Sequence, residues 1–111
     1  MAHETFFVGS YTIADDWIPN AAGDGISRLT IDSEPGAFEG VELIARLKNP
    51  SYLALSSDGA VLFACSELFH EDGIVHALEV ESSGSLTSVS RRSSLGKATC
   101  HVSHDPARAR V

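Results

Sequence analysis

The sequence has 111 residues, enough for one small domain, and a formal net charge of −7. This acidity argues against nucleic acid and anionic membranes as partners. No apolar run approaches the ~20 residues of a membrane-spanning helix, and the N-terminus lacks the basic and apolar regions of a signal peptide. We therefore expect a cytoplasmic protein.

Apolar residues recur over short segments separated by turn residues, and no segment of eleven or more residues has a convincing helical period. The sequence therefore predicts an all-β chain. In chain order, the predicted strands span residues 6–12, 25–31, 41–47, 51–56, 61–66, 74–80, 86–92 and 99–104.

The strongest local signal is a β-hairpin within residues 49–67, NPSYLALSSDGAVLFACSE. Asp58 and Gly59 form a turn dipeptide between two apolar runs, which is typical of a hairpin. Both strands carry apolar residues on both faces, so we expect the hairpin to lie inside a stack of sheets.

Three segments recur in the same order along the chain. GISRLTIDSEPGAF, from Gly25, aligns with GIVHALEVESSGSL, from Gly73. NPSYLALSS, from Asn49, aligns with ATCHVSHDP, and FFVGSY, from Phe6, aligns with LFACSE. A four-stranded unit that recurs at roughly 40–50 residues is typical of a β-propeller blade. The alternative is a small β-sandwich with accidental internal similarity.

The four strands of a blade are labelled A to D from the centre outwards. Residues 49–92 then form one complete blade, residues 6–47 form strands B, C and D of a ring-closing blade, and residues 99–111 start the next blade. Propellers have about four to eight blades. We therefore expect a partial propeller of about two blades, the N-terminal portion of a longer protein, whose ring closes only with missing blades or by self-association.

Two cysteines, Cys65 and Cys100, lie in apolar predicted strands. We expect both to be buried reduced thiols rather than a disulfide. Their spacing is not that of a zinc site. Acidic residues cluster in two loops, but neither loop has calcium-binding spacing, so we interpret both as solvated loops and expect no metal.

Several short motifs together resemble one family of proteins, the seven-bladed β-propeller lactonases, which includes the 6-phosphogluconolactonases. The motifs, in the order of the family, are FVGSYT from Phe7, GI from Gly25, NPSYLALS from Asn49, CSE from Cys65 and CHVS from Cys100. Each motif is weak, but their joint order covers nearly the whole chain. The sequence departs from the family in its length, about a third of the usual length, and in Ala107-Arg108, where an Asp-Gly turn is expected.

The resemblance implies a cytoplasmic hydrolase of a sugar lactone that needs no cofactor. The implied reaction is hydrolysis of 6-phosphogluconolactone to 6-phosphogluconate in the pentose phosphate pathway, with the isolated chain inactive. A fungal carboxymuconate cyclase is a relative, so a cyclase of that type is one alternative. A non-catalytic propeller that serves as a binding or assembly module is another.

Strands of a blade alternate in direction, so the end of strand B and the start of the next strand A lie on the same face of the propeller. This predicts that Tyr11, Glu67 and His101 share that face. Opening a lactone with water needs a base and stabilisation of an oxyanion, and we predict Glu67 and His101 as the catalytic residues. We predict a substrate-binding role for Tyr11, Asn49, Ser51 and Lys97.

Each of these residues also has a structural interpretation. His101 could be a hydrogen-bonded histidine of an inner strand, and Glu67 a carboxylate on a solvated loop. Tyr11 could serve mainly in packing, and Asn49 and Ser51 in a turn.

Overall fold

The computed structural model describes residues 3–34 and 36–111. It contains seven strands and no helix in these residues, which confirms the all-β prediction. The strands are β1 (His3–Gly9), β2 (Ile26–Asp32), β3 (Ala37–Ala45), β4 (Pro50–Leu55), β5 (Val61–Ser66), β6 (Ile74–Val80) and β7 (Leu86–Ser93). No helix in the described part of the chain is long and apolar enough to cross a membrane.

The strands form two antiparallel sheets in simple sequential order. The first sheet has the order β1-β2-β3 and the second β4-β5-β6-β7. Each sheet has the meander of a propeller blade, with the first blade reduced to three strands. The outermost strand β7 is exposed along most of its length, as an outer edge strand of polar sequence should be.

The predicted hairpin is confirmed as β4 and β5. Gly59 has a φ of 73°, which its lack of a side chain permits, and its N–H donates to the Ser56 carbonyl over 2.9 Å. The Asp58 carboxylate accepts from the Ser56 hydroxyl at 2.7 Å and from the Ala60 N–H at 3.0 Å. These hydrogen bonds lower the pKa of Asp58, because they favour its charged form.

The two sheets pack face to face around one apolar core. Its fully buried members are Ile26 of the first sheet and Leu62, Ala64 and Leu78 of the second. The sheets approach closely at the inner edge, where a Cβ added to Gly9 would lie 1.9 Å from the Pro50 carbonyl oxygen. Farther out, Arg28 Nη1 donates to the Ser83 carbonyl at 2.8 Å. The second sheet therefore packs on the first as one blade packs on the next.

Several predicted strand limits are wrong by a few residues. The first strand is 3–9 rather than 6–12, because the Thr12 and Ile13 N–H groups bind the Asn49 side chain instead of a neighbouring strand. The third strand begins at Ala37 rather than residue 41, because its ladder with β2 continues to the Asp32–Ala37 pair.

The strand predicted over residues 99–104 does not form. These residues have no ladder partner, and the chain turns back at Asp105, which bridges to Arg110. The Arg108 guanidinium closes the turn by donating to the Asp105 carboxylate at 2.9 Å. The segment lies against the second sheet, where the His104 ring is 5.0 Å from that of Phe63.

The prediction for the cysteines is half right. Both thiols are free, and Cys65 is fully buried in β5. Burial raises the pKa of the Cys65 thiol, because it disfavours the thiolate. Cys100 is exposed rather than buried, since its segment lies beside the sheet without joining it.

Candidate active site

Glu67 is the carboxylate on which the candidate site is built. It follows directly after β5, and its Oε1 atom accepts two hydrogen bonds, from the Ser51 hydroxyl at 2.8 Å and from the Tyr11 hydroxyl at 3.1 Å. Within residues 3–34 and 36–111 no hydrogen bond reaches its other oxygen, Oε2. The carboxylate is therefore fixed through one oxygen while the other is available to a ligand.

Tyr11 comes from the loop after β1, so it reaches Glu67 from the neighbouring blade. Burial and the Glu67 carboxylate together raise the pKa of Tyr11 above its usual value of 10.0. The phenol thus keeps its proton at neutral pH and acts as a donor to Glu67. The predicted convergence of Tyr11 and Glu67 is present in the structure.

Ser51 owes its position to an irregularity in β4. The register between β4 and β5 shifts between Pro50 and Tyr52. Such shifts change the direction of a side chain relative to a regular strand. Here the Ser51 hydroxyl lies at the end of β5, within hydrogen-bonding distance of Glu67.

Asn49 links the two blades next to Glu67. It is 2% exposed and has a φ of 42°, a left-handed conformation that asparagine tolerates better than most residues. Its Oδ1 accepts from the N–H groups of Thr12 at 2.8 Å and Ile13 at 3.0 Å, and its Nδ2 donates to the Glu67 carbonyl at 3.0 Å. Because both polar atoms of its side chain are hydrogen-bonded within the protein, Asn49 fixes the main chain at Glu67 relative to the loop that carries Tyr11.

Thr12 is a member of this network that the sequence did not single out. Its hydroxyl accepts from the Asn49 N–H at 3.0 Å and lies 3.3 Å from Asn49 Oδ1. An adjacent polar residue in a loop carries no distinctive signal, so only the structure could reveal this pairing.

His101 lies on the second sheet beside Tyr52, with ring centroids 4.4 Å apart and an interplanar angle of 48°. The side chain is exposed and makes no hydrogen bond within the described residues. Its sequence neighbour Cys100 is close enough to Tyr11 to interact with it electrostatically. His101 lines a groove with Tyr52, Leu53 and His104 that does not include Tyr11 or Glu67, and the structure shows no contact between His101 and the carboxylate.

Lys97 is exposed and has no ion pair in the described part of the chain. Lys48, by contrast, lies 3.6 Å from the Glu71 carboxylate. The two acidic loops are joined by a contact that the sequence did not predict, between His70 Nε2 and Asp15 Oδ2 at 2.7 Å. Among the described residues no group of three or more histidine, cysteine or acidic side chains could hold a metal ion.

The long loop between β1 and β2 is closed at its base. The Ser10 hydroxyl donates to the Gly25 carbonyl at 3.0 Å, and the Gly23 N–H donates to the Tyr11 carbonyl at 3.0 Å. A Cβ added to Gly23 would lie 2.1 Å from the Ser10 hydroxyl oxygen. The base of the loop therefore fixes Tyr11 independently of the outer part.

Sheets of this order, packed as successive blades with polar residues at their inner ends, define a piece of a β-propeller. The family of seven-bladed β-propeller lactonases matches the chain over residues 5–111. The chain therefore belongs to that lactonase family.

The chain is similar to proteins from several bacteria. It is 28% identical to a 6-phosphogluconolactonase of Bacillus subtilis over 99 residues, which are 89% of this chain and 26% of that protein. A crystal structure of a putative 6-phosphogluconolactonase from Bacteroides uniformis matches with a TM-score of 0.72 at 27% identity, covering 86% of this chain and 26% of that one.

The structure of a periplasmic gluconolactonase from Pseudomonas aeruginosa matches with a TM-score of 0.82 at 23% identity, covering 96% of this chain and 29% of that one. At this identity the match shows the fold alone. The chain spans about a quarter of the length of these relatives.

Proposed function

We propose that the protein carrying this chain hydrolyses a sugar lactone, with 6-phosphogluconolactone as the substrate and 6-phosphogluconate as the product. The proposal is carried by one observation, the Glu67 carboxylate held by hydroxyl groups of two successive blades in a chain of the lactonase family. The names of the relatives support the choice of substrate.

In the proposed reaction, a water molecule attacks the lactone carbonyl while a base takes one of its protons. The carbonyl becomes a tetrahedral oxyanion, the ring C–O bond then breaks, and the released alkoxide takes up a proton. A positioned general base contributes about 10²–10⁴-fold to such a step. Glu67 Oε2 and the His101 imidazole are the groups we assign to the proton transfers.

Tyr11 and Ser51 support this chemistry by fixing the base. Their hydroxyls both donate to Oε1, which leaves the opposite oxygen of Glu67 without a hydrogen bond among the described residues. Asn49 holds the main chain at Glu67 and the Tyr11 loop in one arrangement. Its side chain is committed to these contacts, so we assign Asn49 a positioning role in place of direct substrate binding. Lys97 is exposed and stays a candidate for binding an anionic substrate.

The test is turnover of 6-phosphogluconolactone by the whole protein and its variants. Glu67→Gln and His101→Ala should each lower kcat by about 10²-fold or more, with little change in melting temperature. The matched controls are Glu79→Gln, on the exposed side of β6, and His104→Ala, whose ring also lies on an aromatic side chain.

Both controls should keep wild-type turnover. Unchanged turnover in Glu67→Gln and His101→Ala would show that the site assignment is wrong. A folded whole protein without lactonase activity would instead favour the binding or assembly module.

A further inference from the structure

A polar cavity of about 230 Å³ lies between the two blades, and neither Glu67 nor Asn49 lines it. Its polar lining residues are Arg46, Lys48, Ser66, Glu71, His76 and Arg91. Three of these are cations, in a chain that has only eight lysines and arginines and a net charge of −7. The cavity therefore concentrates positive charge within an acidic protein.

The cations at this cavity are only weakly neutralised. Arg46 lies 3.7 Å from Asp24, and Lys48 lies 3.6 Å from Glu71, with all four side chains more than half exposed. Exposed pairs of this kind contribute little. Arg91 has no ion pair within residues 3–34 and 36–111.

The floor of the cavity is a buried polar pair. Ser66 is 1% and His76 is 4% exposed, and Ser66 Oγ lies 2.8 Å from His76 Nε2. Arg91 is the cross-strand partner of His76. Apolar residues would fill a blade interface at lower cost than this pair. A hydroxyl, an imidazole and three cations around one cavity are the groups that a phosphate oxyanion prefers.

We propose that this cavity is an anion site for a phosphate group, separate from the Glu67 site. Arg91 and Lys48 bind the phosphate oxygens, and the Ser66–His76 pair forms the polar floor. Lys48 exchanges its loose contact with Glu71 for the anion. The proposal does not depend on the lactonase activity, because its test measures the pKa of His76 and not turnover.

Burial and the Arg91 charge lower the pKa of His76. The charged groups around the imidazole are Arg91 on the neighbouring strand, Arg46 and Lys48 from the first blade's end, and Glu71 from the loop before β6. A bound dianion favours the imidazolium form, so it should raise the pKa of His76. By linkage, the anion should bind more tightly as the pH falls through that pKa.

The experiment follows the histidine ring signals of the whole protein by NMR while inorganic phosphate is added. Sodium chloride at matched ionic strength serves as the control for screening. We expect saturable binding that raises the pKa of His76 by about half a unit or more. The other four histidines of the chain should not follow the same saturation curve.

Arg91→Gln is the decisive variant, and Arg92→Gln is its matched control. The two arginines are adjacent on β7, but Arg92 pairs opposite Val75 and lines a different cavity on the other face of the sheet. Arg91→Gln should weaken phosphate binding about tenfold or more, whereas Arg92→Gln should bind like the wild type.

A second titration, with 6-phosphogluconate, distinguishes free phosphate from a sugar phosphate as the ligand of the site. Equal affinity for both ligands supports a site for free phosphate, and tighter binding of 6-phosphogluconate supports a site for a sugar phosphate. No saturable change at His76, or equal losses in Arg91→Gln and Arg92→Gln, would overturn the proposal. Loss of lactonase activity alone would not affect it.

Discussion

Asn49 and Glu67 bind each other through two reciprocal hydrogen bonds. The Glu67 N–H donates to the Asn49 carbonyl at 3.0 Å, and Asn49 Nδ2 donates to the Glu67 carbonyl, also at 3.0 Å. Because the same Asn49 side chain accepts from Thr12 and Ile13, the main chain at the candidate catalytic carboxylate is fixed to both blades at once. The geometry of the site thus depends on the packing of the blades.

Asn49→Gly should destabilise the fold by about 2 kcal/mol, because the part-buried N–H groups of Thr12 and Ile13 lose their acceptor. Asn49→Ala should cost about 1 kcal/mol more, since alanine is strained at a φ of 42° whereas glycine is not. Urea unfolding measures both. Asn20→Ala, on the exposed loop, should have almost no effect. Equal stability of the glycine and alanine variants would contradict the role assigned to the backbone conformation.

The pKa of Tyr11 should fall when Glu67 is replaced by glutamine. The negative charge of Glu67 and its hydrogen bond both help raise that pKa, and glutamine removes the charge. NMR titration of the Tyr11 ring measures the change, and Glu79→Gln is a control of equal charge. A pKa of Tyr11 that stays unchanged in Glu67→Gln would contradict the pairing.

The raised pKa of Tyr11 also has a consequence for stability. The folded state holds the phenolic proton more strongly than the unfolded chain does, so this contribution is fully present below the usual pKa of 10.0. It is lost as the pH rises through the folded-state value. Tyr11→Phe should therefore show a shallower loss of stability above about pH 10 than the wild type does.

The Asp15–His70 contact makes a prediction for acidic pH. The hydrogen bond from His70 is the main cause of the lowered pKa of Asp15, so His70→Ala should raise that pKa towards its usual value. The stability from this contact is present above that usual value and is lost as the pH falls through the lowered one. His3→Ala removes an imidazole that pairs with Glu39 instead, and it should leave Asp15 unchanged by NMR titration.

Leu62 and Leu55 are cross-strand partners with opposite surroundings, which makes them a matched pair. Leu62 is 2% exposed, whereas Leu55 is 50% exposed. Leu62→Ala should cost about 3 kcal/mol of unfolding free energy, and Leu55→Ala below about 1 kcal/mol. Similar costs by urea unfolding would contradict the burial of Leu62 in the core.

Gly9 tests the approach of the blades at their inner edge. A Cβ at residue 9 would lie 1.9 Å from the Pro50 carbonyl oxygen. Gly9→Ala should therefore lower the free energy of unfolding by about 2 kcal/mol through overpacking. Gly40→Ala is the control, because a Cβ there meets no atom within 4 Å. If both variants melted at the same temperature, the close packing of the blades would be refuted.

The hairpin and the order of the strands could be predicted because their signals are local. The Asp58-Gly59 turn and the apolar runs beside it depend only on neighbouring residues. The segment after residue 98 could not be predicted from its similarity to β4. A strand needs a partner as well as a favourable sequence, and here the turn at Asp105 supplies none.

The internal alignment fails by one residue, and the cause is the two-residue period of a strand. The alignment equates Gly9 with Cys65 and Ile26 with Ile74. In the structure Gly9 pairs with Ile26, whereas Cys65 pairs with Val75. A shift of one residue turns a side chain to the opposite face. The pairs Gly9–Cys65 and Ile26–Ile74 therefore cannot both be equivalent positions in the two blades.

The positions of Tyr11 and Glu67 could be predicted, because the order and direction of the strands alone determine them. The supporting contacts could not be predicted, because they depend on side-chain geometry across the two blades. The Thr12–Asn49 contact and the buried Ser66–His76 pair have no spacing or motif that distinguishes them from ordinary polar residues.

The closed base of the loop between β1 and β2 divides the loop into residues that position Tyr11 and residues that do not. Ser10, Gly23 and Gly25 close the base of the loop that carries Tyr11, whereas residues 16–22 take no part in those contacts. Insertions, deletions and grafted peptides between residues 16 and 22 should therefore be accommodated without displacing the phenol. Residues 16–22 are accordingly the part of the loop where the sequence can change while the Tyr11–Glu67 contact stays intact.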